Sequence, residues 1–313
     1  MQLHLTLLGA TTALGFFLCQ GAIGAPSSAV VQLPLTVIRA HLYVPMALAG
    51  QTKPHWWLVD TGSPWSVVNI DHARQLVRSV SGTQEKSTTV AGRACWVLVN
   101  IGTIVDGYHL GYFDFFEAPL SGMIGVTLAT GRPDSDQFEA GGILGVSFLA
   151  KHGALLNFHS QRLSLHAAVA SSATGRAGLE KIGYTYVPIQ VTAVGRIEVV
   201  GSVGAKTYSF LIDSGSPKTI LQSTIKGAWL FGGWGDKVYF AQGQSSQATS
   251  SRLAGFKLGA QDVSATVVLF AKLPNVQTGF SYPMGGIIGE DFLWGYQAIL
   301  DMGGQALYLK PAS

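Results

Sequence analysis

The sequence is poor in cysteine and in charged residues. Its 313 residues contain two cysteines, and only 12% of them are charged, against 48% that are apolar. This balance excludes a disordered chain and predicts a large buried core. The net charge of +3 comes without a basic run, so the sequence gives no electrostatic footprint for nucleic acid. It also lacks an Asn-x-Ser/Thr sequon, so N-glycosylation is not expected.

The N-terminus has the pattern of a signal peptide. Residues 3–18 are mostly apolar, and the small residues of 21–25 follow them. We therefore predict a signal peptide over 1–25 and an exported protein, either secreted or periplasmic. The apolar run is short for a membrane span, and an uncleaved segment that anchors the protein in a membrane is the alternative. Removal of the segment would leave Cys95 as the only cysteine, so no disulfide within the chain is expected.

The two halves of the chain repeat the same motifs in the same order. Residues 58–64 match 211–217, and residues 141–149 match 285–293. Small differences in spacing between the matches are what loop insertions produce. Because an ordered repeat of motifs reflects repetition of one structural unit, we predict two homologous lobes.

The predicted lobes span 30–168 and 183–313. The stretch between them, 169–182, starts with small residues without an apolar period and is predicted to be a linker. Within each lobe, short apolar runs end at glycine-containing turns, a pattern typical of strands. The fold class is therefore predicted to be all-β. Short helices are predicted at three places, namely residues 70–77 and the segments after Gly145 and Gly289.

Each half contains an Asp-Thr/Ser-Gly-Ser motif directly after a predicted buried strand. The two copies are Asp60-Thr61-Gly62-Ser63 and Asp213-Ser214-Gly215-Ser216. One such motif alone is common, and it often marks an ordinary turn in which the carboxylate bonds its own backbone. Two copies, each followed by an Ile-Leu/Ile-Gly sequence in the same relative position, indicate a functional pair.

With these motifs the chain resembles the pepsin-like and retropepsin-like aspartic peptidases in their two-lobed, single-chain form. The resemblance covers residues 33–309. It implies an all-β, bilobal acid-protease fold with two homologous β-barrel-like lobes and an active-site cleft between them. It also implies an aspartic endopeptidase in which Asp60 and Asp213 are the catalytic residues.

The chemistry of such a pair follows from its charge. Two neighbouring carboxylates cannot both ionise cheaply, so they share one proton, as in pepsin. The ionised member takes a proton from water, and the protonated member donates to the substrate carbonyl. Because the pair titrates as a unit, neither role is assigned to one aspartate. The resemblance implies a peptide or protein substrate in extended conformation. We also expect a monomer without a cofactor, and from the residues themselves no metal site, no nucleic-acid partner and no stable membrane span after signal removal.

Six neighbours of the aspartates support the pair in the family, and here they are Thr61, Gly62, Ser63, Ser214, Gly215 and Ser216. The glycines allow tight turns that bring backbone N–H groups to the carboxylates. The hydroxyls of Thr61 and Ser214 are expected to bond across the lobe interface. Those of Ser63 and Ser216 are expected to donate to the outer carboxylate oxygens, which favours the ionised form and lowers its pKa.

Four residues are candidates for substrate binding, namely Trp65, Ala91, Gly92 and Gly243. Trp65 resembles the pocket-wall tryptophan of pepsins, with plain core packing as the alternative. The others lie at two predicted hairpins, 88–93 and 240–244, of which the first resembles the flap of the family. A flap tyrosine of the pepsin type is not identifiable, and two ordinary polar hairpins are the alternative.

Two other classes of protein remain open. A non-catalytic peptide-binding or inhibitor-like protein on the same fold would be expected to lack one aspartate or its glycine, whereas both motifs are intact here. The second class is a purely structural β protein, and two acidic turns in equivalent positions argue against it.

The serines predict an acidic pH optimum for peptide cleavage. If Ser63 and Ser216 lower the pKa values of the pair, its singly protonated state is populated at acidic pH. A pH–rate profile measured with a peptide library checks this expectation, and a maximum above neutrality would contradict it.

Overall fold

The computed structural model describes most of the chain after the N-terminal segment, namely residues 30–38, 41–51, 53–79, 84–90, 93–105, 108–118, 120, 140–166, 173–225, 235–239, 245–273 and 279–311. The predicted signal peptide, 1–25, lies outside the described residues. The hairpin residues Ala91, Gly92 and Gly243 lie outside them as well.

Strands dominate the structure. The strands of the first half are β1 (Val31–Pro34), β2 (Thr36–Ile38), β3 (His41–Leu48), β4 (His55–Val59), β5 (Val67–Asn69), β6 (Gln84–Val90), β7 (Arg93–Val105), β8 (Tyr108–Ala118), β9 (Ala140–Leu144), β10 (Leu155–Asn157) and β11 (Arg162–Leu165). Those of the second half are β12 (Thr185–Val191), β13 (Ile197–Val203), β14 (Lys206–Ile212), β15 (Ile220–Gln222), β16 (Gly235–Tyr239), β17 (Ser245–Arg252), β18 (Phe256–Leu258), β19 (Gln261–Asp262), β20 (Val267–Ala271), β21 (Met284–Ile288), β22 (Ile299–Asp301) and β23 (Ala306–Leu309). The helices are α1 (Ile70–Ser79), α2 (Val146–Lys151), α3 (Ala173–Lys181) and α4 (Glu290–Gly295). The all-β fold class is confirmed.

The N-terminal lobe is a sheet that closes on itself. Its strand order is β2-β3-β4-β9-β5-β8-β7-β6, and an additional pairing of β3 with β7 closes it into a barrel. Strand β9 lies between β4 and β5, and all of its residues are buried. Its Gly142 is necessary because a Cβ atom there would lie 2.1 Å from the ring of Trp57.

The C-terminal lobe repeats this topology. The β13–β14 hairpin corresponds to the β3–β4 hairpin, and β21 pairs in parallel with β14 as β9 does with β4. Strand β15 pairs with β21 and β20 as β5 pairs with β9 and β8. The repeat in the sequence is therefore a repeat of the fold, and the molecule is bilobal.

One sheet joins the two lobes. Its strands follow the order β1-β11-β10-β22-β23-β12, so both halves of the chain contribute to it. The antiparallel pairing of β10 with β22 places Leu156 opposite Leu300, and both side chains are fully buried. The main hydrophobic core contains residues of both halves. Because burial of a leucine side chain contributes about 2 kcal/mol, this shared core holds the lobes together.

The helices are short, and one of them was not predicted. Helices α1, α2 and α4 lie at the three predicted positions, which confirms those expectations. Helix α3 lies within the predicted linker, 169–182, and its Leu179 packs against the cluster of Tyr184 and Tyr308 on the joining sheet. The second half of α3 contains Arg176, Leu179, Glu180 and Lys181, residues of good helix propensity, and docking on a sheet stabilises such a short helix. In the described part of the chain, no helix is long and apolar enough to cross a membrane.

A buried histidine packs in the aromatic core of the N-terminal lobe. His152 is 3% exposed, and its ring centroid lies 4.4 Å from that of Phe148 and 5.1 Å from that of His166. Neither ring nitrogen has a hydrogen-bond partner among the described residues. Burial lowers the pKa of His152 to about 3, and the neighbouring His166 contributes to the lowering. The fold therefore holds His152 in its neutral form.

Replacement of His152 by phenylalanine should make the fold more resistant to acid. The unfolded chain binds a proton at His152 near pH 6.5, whereas the folded chain does so only near pH 3, so stability falls as the pH decreases through this range. Between pH 7 and pH 4 we expect the wild type to lose roughly 3 kcal/mol more unfolding free energy than His152→Phe. Urea denaturation measures this difference. The exposed His159 provides the control, and His159→Phe should follow the wild type; identical pH dependence of all three proteins would contradict a buried neutral His152.

Candidate active site

Asp60 and Asp213 lie directly after the equivalent strands β4 and β14. The backbone N–H of Asp60 donates to the Leu144 carbonyl at 3.1 Å, and that of Asp213 donates to the Ile288 carbonyl at 3.0 Å. These acceptors are the last residues of β9 and β21. The Ile-Leu-Gly and Ile-Ile-Gly segments therefore run beside the two aspartate loops and hold them in place.

Thr61 and Ser214 bind the two loops to each other. The Thr61 hydroxyl donates to the Ile212 carbonyl at 3.0 Å and accepts from the Ser214 N–H at 2.9 Å. The Ser214 hydroxyl donates to the Val59 carbonyl at 2.8 Å and accepts from the Thr61 N–H at 3.1 Å. Both side chains are fully buried. These reciprocal hydrogen bonds across the lobe boundary fix how closely the two aspartates approach.

Each motif glycine lies against the carboxyl group of the opposite aspartate. A Cβ atom on Gly62 would lie 2.3 Å from Asp213 Cγ, and a Cβ atom on Gly215 would lie 2.6 Å from Asp60 Cγ. No larger residue fits in either place. The two carboxyl groups are close enough to share a hydrogen bond.

Backbone donors and burial act on the carboxyl groups in opposite directions. Gly62 and Ser63 donate N–H bonds to Asp60 Oδ1 at 2.9 and 3.1 Å, and Gly215 donates to Asp213 Oδ1 at 2.9 Å. Burial nevertheless raises the pKa of both carboxyls, because it disfavours the charged form. The charge of Asp60 raises the pKa of Asp213 further. The pair therefore keeps a shared proton to higher pH than free carboxyls would.

The hydroxyls of Ser63 and Ser216 do not donate to the carboxylates, and that expectation from the sequence is wrong. Ser63 Oγ donates to the Trp65 carbonyl at 2.7 Å, and Ser216 Oγ donates to the Lys218 carbonyl at 2.8 Å. Each hydroxyl proton instead closes the turn that follows its aspartate. The expected lowering of the pKa values by these hydroxyls is absent, so the acidic optimum loses its physical basis.

Trp65 lies beside the first aspartate loop. Its side chain is half-buried, and its ring centroid lies 5.4 Å from that of Phe116. This position is compatible both with a pocket wall and with core packing.

The strands that flank each of the two predicted hairpins pair with each other. Strands β6 and β7 pair as far as Val90 with Arg93, and β16 pairs with β17 as far as Tyr239 with Ser245. The β6–β7 pair has the same place in its lobe as the β16–β17 pair has in the other lobe, as the repeat predicts. The candidates Ala91, Gly92 and Gly243 lie outside the described residues.

His41 and Arg196 are neighbours of the aspartates that the motifs do not indicate. Continuing the register of the β3–β4 hairpin places His41 opposite Asp60, and the register of β13–β14 places Arg196 opposite Asp213. The two positions correspond in the repeat. Only the strand register reveals that these two side chains lie opposite the aspartates, because histidine and arginine differ and no shared motif surrounds them.

Glu290 is a third such neighbour, at the start of α4. It is 4% exposed, and its Oε1 accepts a hydrogen bond from the Leu42 N–H of the other lobe at 3.1 Å. Burial raises the pKa of Glu290 to about 8, and the charges of Asp213 and Asp60 add to the effect. The corresponding residue of the first half is Val146, so this carboxyl group breaks the symmetry of the site.

Comparisons with known proteins give little beyond this geometry. No family model and no curated protein matches the chain. Among solved structures, the chain is similar to the aspartic proteinase from Irpex lacteus, with a TM-score of 0.45 and 16% identity over 91% of this chain and 98% of that chain. Where the structure describes the chain, no three His, Cys, Asp or Glu side chains gather as they would around a metal ion.

Replacement of Thr61 by valine should destabilise the protein strongly. The variant keeps the shape of the side chain but leaves the Ser214 N–H and the Ile212 carbonyl buried without their partner, which costs about 2–4 kcal/mol. Urea denaturation measures the loss. Thr207→Val, at an exposed position of β14, is the matched control and should change the stability by less than about 0.5 kcal/mol. Equal effects of the two substitutions would contradict the role of Thr61 in joining the loops.

Proposed function

We propose that the chain is an aspartic-type endopeptidase that hydrolyses peptide bonds through a water molecule activated by Asp60 and Asp213. The observation that supports this most is the reciprocal packing of the motifs, in which each glycine lies against the carboxyl group of the opposite loop. A structural turn would not require two carboxyl groups to face each other at the expense of their hydration. Such an arrangement suits a pair that shares one proton.

The reaction uses one water molecule and no other reactant. The ionised aspartate takes a proton from the water molecule while the water oxygen bonds to the carbonyl carbon of the peptide. The protonated aspartate donates its proton to the carbonyl oxygen. The tetrahedral intermediate then collapses with cleavage of the C–N bond: the aspartate that took the proton from water gives it to the leaving nitrogen, and a hydroxyl of the intermediate returns a proton to the other aspartate as the product carboxyl group forms. At the end the pair again holds one proton.

The substrate we propose is a peptide or protein segment in extended conformation. Such a segment would lie in the cleft between the lobes beneath the β6–β7 and β16–β17 hairpins and hydrogen-bond like an added strand. Trp65 would form part of a pocket wall, and the hairpin tips with Ala91, Gly92 and Gly243 would contact the backbone. We further propose that the protein acts as a monomer after export, without a cofactor.

The pH range of activity should extend nearer to neutrality than the acidic optimum expected from the Ser63 and Ser216 hydroxyls. Burial raises the pKa of both carboxyls, so the pair loses its shared proton, and with it activity, only at higher pH.

Removal of the Ser63 or the Ser216 hydroxyl should not shift the pH at which activity falls on the alkaline side of the pH–rate profile. Ser63→Ala and Ser216→Ala remove groups that bond to main-chain carbonyls rather than to the carboxylates. We expect the limb in kcat/KM to move by less than about 0.3 pH units, whereas loss of a donor to a carboxylate would move it up by about one. A shift of that larger size would show that the hydroxyls reach the carboxylates in the working enzyme.

Asparagine at either aspartate should abolish cleavage without unfolding the protein. Asp60→Asn and Asp213→Asn remove the shared proton site and should lower kcat roughly a thousandfold or more. Mass spectrometry of a peptide-library digest at several pH values measures the loss. Cleavage that persists unchanged in both variants would exclude the pair.

A glycine variant tests whether activity requires the close approach of Gly62 to the Asp213 carboxyl group. Gly62→Ala should lower kcat about a hundredfold, because the new methyl group displaces the Asp213 carboxyl. The matched control is Gly178→Ala in α3, where no atom lies within 4 Å of the new Cβ, and it should retain full activity. Equal activity of the two variants would contradict the role of close approach.

A peptide-binding protein without catalysis is the second candidate. The two candidates differ in one measurement, since a binding protein would retain an unmodified peptide whose central bond stays intact on prolonged incubation. Intact peptides at every pH, together with saturable binding, would favour it over the enzyme.

A further inference from the structure

Glu198 is a fully buried acidic residue in strand β13 of the C-terminal lobe. It is 0% exposed, and it pairs with Leu211 on β14 and with Gln190 on β12. Paired residues share a face of a sheet, and side chains along a strand alternate between the two faces. Asp213 follows Leu211 by two residues. Glu198 therefore lies on the side of the sheet that carries the Asp213 carboxyl group.

Several hydrogen-bond donors converge on the Glu198 carboxylate. The Ser209 hydroxyl and the Ser281 backbone N–H donate to Oε1, the latter at 2.9 Å. The Gln190 side-chain amide and the Ser281 hydroxyl donate to Oε2, the latter at 3.2 Å. Burial raises the pKa of Glu198, but these hydrogen bonds outweigh burial and hold the pKa below its usual value. Glu198 is therefore an ionised acceptor that binds a distant part of the chain.

That part of the chain is the segment 279–282, which precedes strand β21. The Tyr282 N–H donates to Ser209 Oγ at 2.9 Å, and the Gln190 amide donates to Ser281 Oγ at 2.6 Å. Backbone pairing with β14 begins only at Pro283, whose carbonyl accepts from the Ser209 N–H at 3.0 Å. The Glu198 network thus holds the segment ahead of the sheet, through bonds to side chains.

The segment 279–282 packs beside the second aspartate. Its Phe280 contacts an apolar cluster that contains Leu211, which faces the same side as Asp213. A Cβ atom on Gly279 would lie 3.0 Å from a methyl group of Val194, in the turn between β12 and β13. The segment therefore forms one surface with this turn and with the apolar cluster next to Asp213.

The turn between β12 and β13 reaches the opposite lobe. A Cβ atom on its Gly195 would lie 3.0 Å from Cβ of Pro64, in the loop of the first aspartate. The surface that contains the segment 279–282 therefore continues to the boundary of the two lobes, where the aspartates meet.

The first half of the chain has aromatic residues where the second half has this network. Leu58 corresponds to Leu211, so the strand registers equate Glu198 with Tyr43 and Ser209 with Trp56. The repeated strands thus accept aromatic side chains at these positions, and burial of a carboxylate there is costly. The strand pairing alone does not require Glu198, whereas attachment of the segment does.

Building on the proposed function, we propose that Glu198 is a positioning residue that holds the segment 279–282 as a wall of the substrate cleft on the side of Asp213. Phe280 then forms part of the apolar surface against which the bound peptide lies. Glu198 itself touches neither the peptide nor the reacting atoms. Its removal therefore weakens peptide binding and leaves the rate of bond cleavage in place.

Amide hydrogen exchange of the full chain, followed by NMR, tests the attachment without a substrate. In the wild type the Ser281 and Tyr282 N–H groups should exchange roughly a hundredfold more slowly than in an unstructured peptide, although both residues are exposed. In a folded Glu198→Gln this protection should fall. Exchange of the wild type at the unstructured rate would overturn the proposal, and that result depends on no variant.

Kinetics of variants test what the attachment does for binding. In Glu198→Gln the new amide group cannot accept from Gln190 and Ser281. For the library peptide that the wild type cleaves fastest, KM should rise about fivefold while kcat stays within about twofold. Addition of Gln190→Glu returns a carboxylate to the network from the neighbouring strand and should restore KM. The control is Glu180→Gln, at an exposed position of α3, which should leave KM unchanged.

Two kinetic results would overturn the proposal. A folded Glu198→Gln with the KM of the wild type would leave the network a purely structural role, and a loss in kcat at unchanged KM would place its effect on the chemistry. Ser281→Ala, a change at an exposed residue, should raise KM in the same direction and provides the test if Glu198→Gln does not fold. If the wild type cleaves no peptide at any pH, the proposed function fails, and the amide exchange still decides whether Glu198 holds the segment.

Discussion

The reciprocal hydrogen bonds of Thr61 and Ser214 are the contact on which the rest of the site depends. Each hydroxyl satisfies a backbone carbonyl and a backbone N–H in the opposite lobe, at distances between 2.8 and 3.1 Å. Buried backbone groups must be paired, so the two loops cannot separate without a substantial cost. That constraint forces two like-charged groups together. Each carboxyl group then occupies the space that a side chain on the opposite glycine, Gly62 or Gly215, would take.

The surrounding fold supports this contact from both sides. The parallel strands β9 and β21 hold the aspartate loops through the Asp60 and Asp213 N–H groups, and the sheet that joins the lobes aligns the two halves. Residues of both lobes share one core, so the relative position of the loops does not rest on the hydrogen bonds alone. The close approach of the two aspartates is therefore a consequence of packing in both lobes as well as of the hydrogen bonds between the loops.

Two buried titratable groups also set the pH at which this packing is most stable. The pKa of His152 is lowered from 6.5 to about 3, so its contribution is complete above about pH 6.5 and is lost in acid. The pKa of Glu290 is raised from 4.5 to about 8, so its contribution is complete below about pH 4.5 and is lost as the pH rises. Together these two groups favour a stability maximum between those limits. This agrees better with a mildly acidic or near-neutral working range than with a strongly acidic one.

One wrong prediction and one helix that was not predicted have different physical causes. The hydroxyl of Ser63 donates to the Trp65 carbonyl within the turn that follows Asp60, and not to the carboxylate. Helix α3 forms in a segment without apolar periodicity because Leu179 finds a partner surface on a sheet built from distant residues. The surface on which α3 docks is therefore absent from the local sequence, whereas the acceptor of Ser63 lies only two residues away, in a turn whose geometry the motif alone does not specify.

The sequence by itself determined the repeat, the strand content and the position of both aspartate motifs, because these depend on local patterns and on their order along the chain. The tertiary structure decided which groups surround the aspartates. His41 and Glu290 lie far apart in sequence and carry no motif, yet both lie near the aspartate loops, and Glu290 bonds to Leu42, the residue after His41. Strand register and lobe packing bring them there, and a charge acts on its neighbours in space whatever their separation along the chain. The repeat in the sequence thus specifies the two aspartate loops. The differences between the surroundings of the two aspartates arise only when the two halves pack together.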